Sequence, residues 1–177
     1  MTTTKGLSAL AVCFGLLLAF GNARGDDEAE RLKTRLEGFQ EVPAIASGGT
    51  AQFRAKVAED DQSFQWELTF SGLTNVTQAH IHIGQRSVNG AIVIFLCTNL
   101  GNGAPSGTTV QACPTSAGTV SGTATAANVI AVPAQGVAGR DFATVLDAIR
   151  SGVAYANIHT SAHPGGEVRG QLHHQEQ

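Results

Sequence analysis

Apolar and polar side chains alternate in two adjoining stretches of the chain. Ala51, Phe53, Ala55 and Val57 interleave with Gln52, Arg54 and Lys56, and Phe64, Trp66, Leu68 and Phe70 interleave with Gln65, Glu67 and Thr69. A period of two marks a half-buried strand, and Glu59-Asp60-Asp61 supplies a turn that joins the pair as a hairpin. Trp66 falls on its apolar face and reads as a core anchor. Residues 91–97 form a continuous apolar run, as in a strand buried on both faces. Residues 118–127 read as a weaker strand of small residues, and 153–159 and 167–172 as the last two strands. The helical period appears in one place, where Phe142, Val145, Leu146 and Ile149 recur between Asp141 and Arg150 and Gly152 follows as a stop. Residues 26–35 are mostly charged and read as a solvated lead-in, which puts the first strand at 36–42, closed by Pro43. The pattern predicts one all-β domain with one short helix.

The chemistry lies in two histidine motifs about 75 residues apart, Ala79-His80-Ile81-His82-Ile83 and Asn157-Ile158-His159-Thr160-Ser161-Ala162-His163-Pro164-Gly165-Gly166. Strand alternation sends Ala79, Ile81 and Ile83 to one face and both histidines to the other. Two residues apart on a strand is about 6.5 to 7 Å between Cα atoms, near enough for two imidazoles to converge on one ion. Tyr155, Asn157 and His159 share a face of their own strand, and Pro164-Gly165-Gly166 forces a turn that returns His163 over the strand end. If the two strands are neighbours, His80, His82, His159 and His163 form a nitrogen site suited to copper or zinc and unsuited to calcium or magnesium. The competing reading is a polar sheet face whose histidines only bond to their neighbours. Glu167 and Arg169 share a face of the last strand, either as partners that orient an imidazole or as an exposed ion pair. Glu37, Gln40 and Glu41 read first as edge-strand solubility residues. His173 and His174 belong to a polar tail, residues 173–177.

Composition narrows the setting. Lys5, an apolar stretch over residues 7–20, and Gly21 and Ala23 are the parts of a cleavable export signal covering residues 1–23. The apolar run is too short for a comfortable membrane span, so a soluble periplasmic or secreted product is expected. Loss of the leader removes Cys13 and leaves Cys97 and Cys113. An even count in an oxidising compartment reads as a disulfide, closing a loop of about 15 residues worth about 3 kcal/mol; metal ligation by the pair is the lesser alternative. The whole chain carries 11 basic and 14 acidic residues. Without Lys5 the balance is 10 against 14, net −4, which disfavours nucleic acid as a partner. Gly101, Gly103 and Gly107 miss the spacing of a phosphate-binding loop, and there is no nucleophile elbow or H-E-x-x-H motif.

Five separated motifs together carry a resemblance. They are Leu36-Glu37-Gly38-Phe39-Gln40-Glu41-Val42-Pro43, Gly49-Thr50-Ala51, Ala79-His80-Ile81-His82, Asn157-Ile158-His159-Thr160, and Pro164-Gly165-Gly166-Glu167-Val168-Arg169-Gly170-Gln171-Leu172. In that order the chain resembles the chordin-type (CHRD) domain over residues 36–172. The family's second proline is missing, since Ala44 follows Pro43, and the cysteine-bearing loop looks like an insertion. The resemblance implies an extracytoplasmic antiparallel β-sandwich, Greek-key-like in architecture and similar to copper-zinc superoxide dismutase. It does not imply that enzyme's full apparatus, because no bridging histidine with a zinc-site aspartate is found.

Two functions are therefore expected to compete. One is an exported protein that binds copper, or zinc, through its histidines for metal handling or metal-dependent redox chemistry; superoxide dismutation is its narrowest form. The other is a non-catalytic extracellular module that binds a protein or matrix partner and uses its histidines structurally. If the chain is an enzyme, the metal does the chemistry.

Overall fold

The computed structural model describes residues 1–2 and 30–174. The expected leader therefore lies outside the described residues, apart from its first two. Among the described residues, nine strands and one α-helix follow in the order β1 (Arg31–Glu37), β2 (Thr50–Val57), β3 (Ser63–Ser71), β4 (Val76–Ile83), β5 (Ala91–Thr98), β6 (Gly118–Thr125), α1 (Phe142–Arg150), β7 (Ala154–Thr160), β8 (Val168–Gln171) and β9 (His173–His174).

The hairpin of β2 and β3 is as the alternation predicts, with Phe53 opposite Leu68 and Ala55 opposite Trp66 on the inward face. The segment before it differs. Residues 31–37 are a strand rather than a solvated lead-in, because Leu32, Thr34 and Leu36 point inward between outward Arg31, Lys33 and Arg35. Burying each of the two leucines is worth roughly 1.5–3 kcal/mol. The outward basic residues cost little, since their heads stay in water. The expected strand at 36–42 is accordingly displaced, and a short 3-10 turn, Gly38–Gln40, follows β1. The polar tail also changes character: His173 and His174 pair with Lys33 and Leu32 of β1.

The strands make one antiparallel sheet in the order β5-β4-β7-β8-β1-β2-β3-β6, with β9 added beside β1. The sheet curls until it is nearly closed, in a shape between barrel and sandwich. At the remaining gap, Gln111 donates from Nε2 to the Leu96 carbonyl of β5 (3.5 Å) and to Ser121 O, in β6 (2.9 Å). The Cys97–Cys113 disulfide holds the loop that carries Gln111 against β5. Phe53, Phe64, Leu68, Ile81, Ile94 and Leu96 fill the interior.

Helix α1 lies where the 3.6-residue period puts it. Asp141 caps it by accepting from Thr144 N (3.1 Å) and Thr144 Oγ1 (2.7 Å), and Phe142 packs on Phe64 with ring centres 5.6 Å apart. At the other end, Arg150 bridges Glu30 and Asp61.

Candidate metal centre

The site is built across the pairing of β4 with β7. Their antiparallel register sets His80 opposite Asn157, His82 opposite Tyr155 and Gln78 opposite His159. With side chains alternating along each strand, all of these lie on one face. The expected neighbouring of the two motifs is therefore realised. What differs is the environment, for this face is covered rather than solvated: His80 is 1% exposed, His82 7% and Asn157 2%.

Neighbouring strands supply the cover. Phe95 of β5 meets the His80 ring edge-on at 4.3 Å, placed there by register shifts between β4 and β5 on either side of the His80–Ile81 pair. Such bulges re-aim side chains next to a site. On the other side, His82 stacks on Tyr155, rings 4.6 Å apart and nearly parallel. The Arg169 guanidinium lies 3.4 Å from the centre of the Tyr155 ring, and β7 runs between the strands of its two stacking partners.

Backbone carbonyls settle where two imidazole protons sit. His82 Nδ1 is 3.0 Å from Gly90 O and His159 Nδ1 is 2.9 Å from Pro164 O. A carbonyl only accepts, so each Nδ1 carries the hydrogen and each Nε2 is left with its lone pair. His80 Nδ1 is 3.1 Å from His159 Nε2, while His80 Nε2 is buried without a partner. Gly90 has to be glycine for this arrangement, since a Cβ there would lie 1.7 Å from Ile83 O.

Burial keeps the imidazoles neutral. His80 is held far below the usual imidazole range, first by desolvation and then by the neighbouring His159 and His82. His82 is pushed down to about 4, again chiefly by desolvation, and His159 is lowered by the same cause. Neutral imidazole is the form that binds a transition metal.

Ligand atoms of His80, His82 and His159 all lie within 4.8 Å of one another. Two imidazole nitrogens on one ion sit at most about 4.2 Å apart, given bonds of about 2.1 Å. The His80–His159 pair already meets that limit, and in a tetrahedral set, with ligands about 3.4 Å apart, the widest separation has to close by up to roughly 1.4 Å. The residues present thus fit copper or zinc.

The other expected residues take different positions. His163 is outside this cluster, and its main chain closes the turn instead: His163 N donates to Thr160 Oγ1 (3.2 Å) and Gly166 N donates to His163 O (3.0 Å). Glu167 accepts from Ser47 Oγ and Thr160 Oγ1, each at 2.6 Å, so it ties the segment before β2 to the end of β7 and makes these bonds rather than one to an imidazole. Arg169 reaches the histidines only through Tyr155, and its Nη2 donates to Gln85 O and Val88 O, both at 3.0 Å.

Two residues near the site carry more than their sequence pattern suggested. Asn157 Oδ1 is 3.0 Å from His82 Nε2. Glu41 is 6% exposed rather than a solvated edge residue; burial raises its carboxyl to about 7, against the lowering pull of Arg169 and of hydrogen bonds from Val42 N and the Asn157 side chain. The absence of a side chain at Gly166 leaves room for it, because a Cβ there would lie 2.5 Å from Glu41 Oε1.

A model of the CHRD domain matches residues 32–172. The chain belongs to the CHRD domain family. That match begins with the buried Leu32 of β1, four residues before the sequence motifs, and ends with Leu172. No curated protein and no solved structure matches the chain. The family assignment agrees with the antiparallel sheet and with a disulfide suited to an oxidising compartment. No described helix of this CHRD protein is long and apolar enough to cross a membrane.

Proposed function

We propose that this CHRD-domain chain is an exported protein that binds one transition-metal ion, copper in preference to zinc, through His80, His82 and His159. The observation that carries this reading is the convergence of three neutral imidazoles, two of them with Nδ1–H fixed on backbone carbonyls. Orienting a histidine through its second nitrogen is how metal sites hold their ligands.

Copper is preferred because nitrogen donors bind it more tightly than other divalent first-row metals. With His80 and His82 buried, exchange of the ion runs past His159, the half-buried member. Metal handling in an oxidising compartment follows, with copper redox chemistry as the reaction the centre supplies when loaded. The test is metal stoichiometry of the wild-type chain against a His80→Ala/His82→Ala variant, for which about one ion per chain and none, respectively, are expected.

A further inference from the structure

His82 faces two acceptors with one proton to give. Its Nδ1 meets the Gly90 carbonyl at 3.0 Å and its Nε2 meets Asn157 Oδ1 at 3.0 Å. A neutral imidazole carries a single N–H, and the Gly90 carbonyl claims it. The structure turns the oxygen end of the Asn157 amide, not its nitrogen end, toward His82 Nε2.

Two lone pairs, on His82 Nε2 and Asn157 Oδ1, therefore face each other where water is largely excluded. A cation seated against both turns that repulsion into binding. The spacing is right for it: two donors at about 2.1 Å from one ion and at right angles lie about 3.0 Å apart. The same spacing recurs beside it, at 3.1 Å between His80 Nδ1 and His159 Nε2. Asn157 stands directly opposite His80 in the register and two residues before His159 on the same face.

We infer that the Asn157 amide oxygen is the fourth donor of the metal centre, completing a set of three nitrogens and one oxygen. It takes the position that the sequence motif offered to His163. The inference rests on the reading that the three histidines hold a metal. An added oxygen donor biases the set toward zinc and copper(II) and away from copper(I), which prefers soft sulfur ligands.

The test uses the chain purified without a histidine tag, at pH 8. Zinc chloride is titrated against a competing chelator for wild type, His80→Ala/His82→Ala, Asn157→Leu and Asn157→Asp. Asn157→Leu is expected to weaken zinc binding by about 10- to 100-fold, and Asn157→Asp to keep it or tighten it. Wild-type affinity in Asn157→Leu, with binding still abolished in the histidine variant, overturns the inference and leaves the three-histidine reading standing. Absence of zinc binding by wild type overturns both. Should Asn157→Leu fail to fold by circular dichroism, the copper(II) electron paramagnetic resonance spectrum of Asn157→Asp decides. A shifted spectrum is expected from exchanging one bound oxygen for another, and one identical to wild type overturns the inference.

Discussion

His80 Nδ1 stands 3.1 Å from His159 Nε2, across 79 residues of sequence and one strand pairing. Because the Pro164 carbonyl takes the Nδ1 hydrogen of His159, the contact is a hydrogen bond from His80 to a lone pair. Moving that proton to His80 Nε2, with the imidazole still neutral, makes it a pair of donors for a cation. The centre is thereby poised between a hydrogen-bonded state and a metal-bound one.

Acid should destabilise the metal-free protein. In the fold His80, His82 and His159 have lowered values, so below about pH 6.5 the unfolded chain takes up protons that the folded chain refuses. Stability contributed by each is present above pH 6.5 and is lost as pH falls toward its folded value, about 4 for His82. The loss is up to about 1.4 kcal/mol per pH unit for each histidine. Urea melts between pH 7 and 4.5 with a chelator present check it, and a flat profile would contradict it.

Glu41 acts with the opposite sign. Its carboxyl is raised to about 7, so the folded chain holds a proton that the unfolded chain has released, and stability falls as pH rises from about 4.5 to 7. Glu41→Gln removes this dependence. The stability of the variant relative to wild type is expected to rise by on the order of 2 kcal/mol between pH 5 and pH 8, read from paired urea melts of the metal-free proteins.

Glu167→Ala separates a structural carboxylate from a metal-orienting one. It strands the hydroxyls of Ser47 and Thr160 that now donate to it, at a cost of about 2–3 kcal/mol. Metal stoichiometry is expected to stay at the wild-type value. Loss of the ion without loss of stability would reverse the assignment.

Reduction of the Cys97–Cys113 disulfide, or its replacement by Cys97→Ser/Cys113→Ser, should cost about 3 kcal/mol. The loop that seals the sheet through Gln111 loses its tether. Hydrogen exchange of Thr98 N, which donates to Gln111 O at 2.9 Å, is expected to accelerate in step with that cost.

Local period carried the hairpin, helix α1 and the shared face of His80 and His82, and an even cysteine count carried the disulfide; that His159 joins that face depended on β4 and β7 being neighbours. Strand β1 was obscured because one inward position is Thr34 and the outward ones are basic, which together resemble a solvated run. Burial of the histidines was not legible, as Phe95 of β5 and Tyr155 of β7 cover their rings and Arg169 of β8 backs the Tyr155 ring. Nor was the place of Glu41, which depends on Arg169, Asn157 and the space above Gly166. Asn157 was visible only as a face-mate of His159, and an amide two residues from a candidate ligand is the signal that could have pointed to it.

Metal binding by the folded chain bears on all of this most directly. Protein purified without a tag, with His173→Gln and His174→Gln to silence the last two histidines, should be stripped and titrated with copper(II) and with zinc in a calorimeter. About one ion per chain is expected, bound tighter than micromolar and lost in His80→Ala/His82→Ala. Binding of neither metal above micromolar affinity by the folded, stripped protein would contradict it.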